Sequence, residues 1–384
     1  MNECKCTEVY GIVDYSINKT TKKLLDIRNF IFNEFILGGH LAALSVSAIA
    51  FSIVMLSGFI IKWEFLLIVY LSTLCIYGYD RYKEITVDYS IDKTTEKLLG
   101  IRNFIFNEFI HGGHLCSLGV SAVVLSVMLL LGIMIRWEFL VIVYLLVLCV
   151  YSYDHYKELK VDALNNSYRT NHLRKYCKLF PFILTLYGTV VLVLLFYFGD
   201  IESLIFGGTL LLTGILYTKK FKKLTKKIIG FKNYYTSFSI SSIIFFTTIY
   251  YNSHIMSMAV LILFIFLFLR LIINTSFCDI KDVNADKKDH LLTLPIVFGR
   301  ERFLVLLHIL NLFSVVPLII GVYMKLLPSF SLLLLTSIFY SSYYLYKGRK
   351  RTTDIQSISS TLVDGEFILW PFLLFIGKIF VMTI

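Results

Sequence analysis

The chain has 384 residues, of which 57% are hydrophobic and only 16% charged, with a mean hydropathy of +0.74. That composition excludes a water-soluble globular domain and points to a multi-pass membrane protein. The net charge of +11 is divided among separate loops rather than gathered on one domain, so it describes membrane topology and excludes a nucleic-acid-binding face.

In chain order, the first 33 residues are polar and hold no early apolar run, so no cleavable signal peptide is read there. Cys4 and Cys6 alone are too few for a metal site, and the seven cysteines form no disulfide framework. Residues 13–86 and 87–160 then match at a fixed offset of 74, with about two thirds of positions identical. Each copy has a polar start, the shared run IRNFIFNEFI, two apolar segments and an acidic end, YGYDRYKEITVD or YSYDHYKELKVD. The period is longer than that of common solenoid repeats, so the pattern reads as a tandem duplication of one helical hairpin. The stretches 22–35 and 96–109, ahead of each pair, read as interfacial amphipathic helices.

Apolar windows recur near 41–61, 64–79, 115–135, 138–153, 180–198, 203–218, 234–251, 255–277, 303–323, 327–346 and 366–383. With a bilayer core of about 30 Å to cross, they predict about eleven spans. The segments 154–178, 218–233, 279–302 and 347–351 are rich in Lys and Arg, whereas 199–202 and 252–254 are nearly bare and Lys325 stands alone. By the positive-inside rule the basic loops and the N-terminus face the cytoplasm, and eleven spans place the C-terminus outside.

Two acidic segments share the cytoplasmic side. Asp154, Glu158 and Asp162 recur at i, i+4, i+8, and Asp279, Asp282 and Asp286 at i, i+3, i+7, each along one helical face. Three carboxylates at the end of an apolar segment are costly unless a cation holds them. Mg²⁺ is the natural cation, and a phosphorylated substrate is its natural companion. Two such clusters converging in a bundle can hold two Mg²⁺ ions around a diphosphate; the bland alternative is a pair of solvated helix extensions. Arg169, Lys222, Lys227, Lys232 and Lys287 are candidates to bind the diphosphate, each with the alternative of a topology charge or lipid headgroup contact. Arg270 and Asn274, one turn apart, are expected to face the bundle interior, with snorkelling of the Arg to the interface as the alternative. Glu108, His111 and His114 read as structural. Asp80, Glu84 and Asp88 repeat the first acidic stripe, but only the second copy runs on into the rest of the chain, so site chemistry is expected at Asp154, Glu158 and Asp162.

With one hairpin set aside, the plan is nine spans with acidic loops after the second and sixth. That plan, together with DIKDVNADKKDHLLTLPIVFGRE, resembles the UbiA-type intramembrane prenyltransferases, whose second motif is DxxDxxxD followed by TLP and a Gly. The resemblance covers residue 103 or so to the C-terminus and includes the basic stretch from Tyr217 to Asn233. The first motif departs from the family's NDxxDxxxD: Asp154 stands for the Asn, His155 for the first Asp and Glu158 for the second, with Asp162 kept. His290 stands where the family tends to have Gly.

The resemblance implies an all-α integral membrane fold: a nine-helix transmembrane bundle (87–384) preceded by an N-terminal tail and the duplicated two-span hairpin (1–86). It implies transfer of a prenyl group from an isoprenyl diphosphate to a hydrophobic acceptor, aromatic or lipid-like, with Mg²⁺ as cofactor. Asp279, Asp282 and Asp286 would be catalytic, and those three with Asp154, Glu158 and Asp162 would ligate metal. A terpene cyclase on the same scaffold, or a non-enzymatic descendant of the family, are the alternatives.

Overall fold

The computed structural model describes residues 112–350 apart from 166, 175–176 and 253–256, residues 355–383, and isolated positions before them (40, 43–48, 66, 69–70, 73, 108 and 109). Within helices, backbone alone is described at 158, 160–165, 167–169, 357, 360 and 380–383. The chain divides into two compact units, Met1–Arg102 and Asn103–Ile384. Most of the first, including Asp80, Glu84, Asp88 and the stretch 22–35, lies outside the described residues.

What is described of the first unit repeats the second. His40 is hydrogen-bonded to the Tyr70 hydroxyl at 2.5 Å, and the Ser47 hydroxyl donates to the Leu66 carbonyl at 3.5 Å. Seventy-four residues on, His114 is hydrogen-bonded to Tyr144 and Ser121 donates to the Leu140 carbonyl at 3.3 Å. The His–Tyr ring planes meet at 36° in both places.

The second unit is helical, with no strand among the described residues. In chain order its helices are α1 (His114–Leu131), α2 (Trp137–Asn165), α3 (Ser167–Arg174), α4 (Phe180–Phe198), α5 (Ile201–Lys219), α6 (Phe231–Ser241), α7 (Ile243–Tyr250) and α8 (Met258–Lys288). They continue with α9 (Leu294–Phe298), α10 (Arg300–Phe313), α11 (Val316–Tyr323), α12 (Ser337–Arg349), α13 (Ile355–Ile358) and α14 (Leu369–Thr383). By length and composition, six segments among the described residues can cross a bilayer: α1, α2 over Trp137–Lys157, α4, α5, α8, and α10 with α11.

Capping sets several boundaries. Asp200 accepts from the Ser203 N–H at 2.8 Å to start α5, and Ser257 accepts from the Val260 N–H at 3.3 Å to start α8. Four of the expected spans are not single helices, 303–323 being divided between α10 and α11. Residues 234–251 break at Ser242, whose hydroxyl donates back to the Phe238 carbonyl at 2.8 Å, a bond that bends helices. Residues 327–346 begin as the 3-10 segment Ser329–Thr336, and residues 366–383 as Glu366–Ile368.

The membrane solvent explains the outer surface. Helix α4 buries only Phe180, Val191 and Leu195, while Phe182, Phe196 and Tyr197 are each at least 70% exposed. Such a face is stable only against lipid. Inside, Phe139 stacks on Tyr250 at 4.3 Å and Phe266 on Trp370 at 5.2 Å between ring centroids, joining α2, α7, α8 and α14 in one apolar core.

Helix α8 positions the site. Its 31 residues make it about 46 Å long at 1.5 Å per residue, well beyond the hydrocarbon thickness of about 30 Å. The first two thirds are mostly apolar, and the remainder carries Asp279, Asp282 and Asp286 at the polar end of the bundle.

Candidate functional site

At this polar end the unit encloses a cavity of about 200 Å³. Leu271, Asn274, Thr275, Cys278, Asp279 and Asp282 line it, recurring at the helical spacing that puts one face of α8 on the wall. Asp154 and His155 line it from α2. Asp279 and Asp282 therefore share one chamber with Asp154. Asp286, on the same face and about 6 Å further along the axis, is buried but does not line the cavity. The side chains of Glu158, Asp162 and Arg169 lie outside those described.

The cations come from the loop after α5. Its 3-10 segment Phe221–Lys226 is tied to the loop after α8 by backbone hydrogen bonds: Leu292 N–H to the Thr225 carbonyl and Gly230 N–H to the Leu292 carbonyl, each 2.9 Å. The tie brings Lys222 to the cavity and sets Lys232, second residue of α6, against Asp279 with Nζ–Oδ1 of 2.9 Å. Burial alone pulls the Lys232 ammonium's pKa down, but Asp279, then Asp286 and Asp282, outweigh it and hold it well above the usual lysine value. Of the other candidate cations, Lys227 and Lys287 are exposed and away from the cavity wall. Lys281, between the two cavity aspartates, lines it instead. Sequence reasoning passed over Lys281, although it stands inside the motif.

Gly230 makes this loop possible. Its φ is 65°, a left-handed conformation that glycine adopts freely, and an added Cβ would lie 3.0 Å from Leu294. At the end of α8 the same conformation falls on His290 (φ 55°). The His290 N–H donates to the Lys287 carbonyl at 3.2 Å and the Leu291 N–H to the Asp286 carbonyl at 2.9 Å, which is a Schellman cap. The glycine that the family favours here is the residue this cap prefers.

A second chamber of about 140 Å³ adjoins the first and is almost wholly apolar, with Leu146, Val147, Val150, Leu210 and Ile243 in its walls. Cys116, Val120, Tyr151, Asp154, Tyr217, Thr236 and Ile240 line both. At this joint Asp154 accepts from the Thr218 hydroxyl at 2.8 Å. Tyr217 is stacked on Tyr235 with centroids 4.7 Å apart.

Divalent cations fit this donor set. On the cavity wall, Asp279 Oδ2 is a buried oxygen with no hydrogen-bond partner, a hard donor of the kind Mg²⁺ prefers. Among the described residues no three Asp, Glu, His or Cys side chains converge enough to hold an ion by themselves. Mg²⁺ is commonly held by one or two carboxylates together with substrate phosphate oxygens, so that spacing suits it.

Arg270 is fully buried and does not snorkel. Its guanidinium donates to Asn311 at 2.5 Å, to the Ser337 carbonyl at 3.2 Å, and to Ser341 and Glu366. Tyr344 also donates to Glu366, at 3.1 Å. This network joins α8, α10, α12 and the segment before α14. Glu108 lies 2.7 Å from His172 Nε2 and 3.6 Å from His114 Nε2, a structural tie; His111 lies outside the described residues.

The fold and the cavity define an integral membrane helical bundle with a charged chamber opening on an apolar one. Residues 139–370, more than half of the chain, match the UbiA prenyltransferase family, and the chain belongs to that family. The fold is similar to the apo structure of a UbiA homolog from Aeropyrum pernix K1, with 12% identity over 70% of this chain and 98% of that one and a TM-score of 0.54. A structure of digeranylgeranylglyceryl phosphate synthase in membranes aligns over 72% of this chain and 99% of its own, with 18% identity and a TM-score of 0.46. No sequence among curated proteins matches the chain.

Proposed function

We propose that this membrane prenyltransferase transfers a prenyl group from an isoprenyl diphosphate to a hydrophobic acceptor, aromatic or lipid-like. The observation that carries the reading is the paired cavity. Asp154, Asp279, Asp282, Lys222, Lys232 and Lys281 face one chamber, and that chamber continues into an apolar one.

The diphosphate occupies the charged chamber. Lys222, Lys232 and Lys281 stabilise the charge that grows on it as the carbon–oxygen bond lengthens. Asp279 and Asp282, with Asp154 opposite, would hold Mg²⁺, which when bound neutralises the diphosphate and makes it a better leaving group. Asp279 already has Lys232 as a partner, so this carboxylate is held in position before any ligand arrives. The prenyl tail lies among Leu146, Val150 and Leu210, away from water. Tyr151 and Tyr217 line the joint, and aromatic rings there would stabilise the positive charge that develops on the allylic carbon. The basic loops set this end of the bundle on the cytoplasmic side.

A cyclase on the same scaffold would use the same chambers without an acceptor. Product analysis separates the two: membranes containing the protein are given labelled prenyl diphosphates of several lengths with and without candidate phenolic and lipid acceptors, and the lipid extract is resolved. Transfer predicts label in a product that forms only when acceptor is present. A cyclised hydrocarbon formed without acceptor would replace this reading with the cyclase.

A further inference from the structure

The cavity holds a carboxylate that neither acidic segment supplies. Asp364 lies on its wall with Asp154, Asp279 and Asp282, delivered by the stretch that joins α12 to α14. Its position is built. The five residues before it, Ser359–Val363, form a π-helix, a rare geometry that is frequent at functional sites. The Asn274 amide donates to the Val363 carbonyl at 2.7 Å and the Tyr340 hydroxyl to the Leu362 carbonyl at 2.8 Å. Two residues beyond Asp364, Glu366 is fixed by Arg270. Asn274 and Arg270 belong to α8, so the helix that carries Asp279 and Asp282 also sets the backbone on both sides of Asp364. Asp364 is in addition an electrostatic neighbour of Cys278, the residue before Asp279.

A separate observation points to a polar ligand in the same cavity. Asn233 lines the cavity with its side chain 1% exposed, and neither its amide nitrogen nor its amide oxygen has a hydrogen-bond partner. Buried polar atoms left unpaired are costly, so such a group belongs with a ligand that satisfies it. On the α2 wall Asp154 is followed by His155, an imidazole in the place where a second carboxylate from that helix would stand.

We propose that Asp364 ligates a divalent cation in this cavity, the C-terminal segment supplying the carboxylate that His155 displaces from α2. The inference rests on the diphosphate reading above and extends it to a third segment of the chain. Mn²⁺ is the probe, titrated into the full-length protein in detergent with inorganic diphosphate present, free Mn²⁺ being read by electron paramagnetic resonance. The unaltered protein and Glu301→Gln, a change on the exposed surface, should bind alike. Asp364→Asn should weaken Mn²⁺ binding about tenfold or more. Asp364→Cys should shift the site's preference from Mn²⁺ toward Cd²⁺, because a thiolate is the softer donor; a residue that only supports the fold would not move metal preference. Asp364→Asn binding Mn²⁺ as the unaltered protein does, or Asp364→Cys keeping the unaltered Mn²⁺/Cd²⁺ ratio, overturns the inference and leaves the diphosphate site standing. Absence of Mn²⁺ binding by the unaltered protein overturns both.

Discussion

Lys232 and Asp279 form an ion pair at the wall of the charged chamber. A hydrogen bond to a charged group contributes about 1.5–3 kcal/mol, so Lys232→Met should weaken prenyl diphosphate binding about 10- to 100-fold. Equilibrium binding of a non-reactive thiodiphosphate analogue measures this, and unchanged affinity would place Lys232 outside the site. His290 offers a test in the opposite direction. A non-glycine residue in the left-handed conformation carries about 1–2 kcal/mol of strain, so His290→Gly should stabilise the protein by about 1 kcal/mol. Thermal unfolding in detergent would register a higher midpoint; a lower one would mean that the imidazole makes a contact worth more than the strain. Asp279 and Asp282 were legible in the sequence because their spacing selects one helical face whatever surrounds them. Asp364 and Asn233 were not: each is a single polar residue outside the acidic motifs, and only packing brings it to the wall.

The elements that place these residues are held by polar contacts rather than by apolar fit alone. Gly230→Ala would force a Cβ against Leu294 in a left-handed backbone and part the Thr225–Leu292–Gly230 ties. Lys222 and Lys232 would then shift together, and activity should fall with α-helical circular dichroism unchanged. Full activity in this variant would show that the tie is dispensable. Arg270 is the other fixed point. Removing one partner of a buried ion pair costs about 3–5 kcal/mol, so Arg270→Met should lower the unfolding midpoint sharply. Arg270→Met with Glu366→Leu should recover part of that loss, since neither charge is then left alone in the bundle; additive losses in the double variant would contradict the pairing. Hydropathy located the apolar segments but not the breaks within them. A serine that bonds back to its own helix, as Ser242 does, leaves the apolar run intact while bending the backbone.

For the molecule as a whole, the family and the membrane-embedded helical bundle were legible because the acidic motif, the TLP sequence and the alternation of apolar and basic segments are local signals. The joint between the two chambers was not, because Tyr151 and Asp154 of α2 meet Tyr217 of α5 there only through packing. That joint is where bond breaking would occur, with charge on one side and hydrocarbon on the other. The duplicated hairpin keeps the His–Tyr and Ser–carbonyl bonds of its copy but not, in sequence, the continuation into 161–178. The most direct measurement of the central claim is diphosphate release from an allylic diphosphate by the purified protein in lipid vesicles, with and without Mg²⁺, beside Asp282→Asn. The paired cavity predicts release that requires Mg²⁺ and is lost in Asp282→Asn. Release that is indifferent to Mg²⁺ and survives in Asp282→Asn would contradict it.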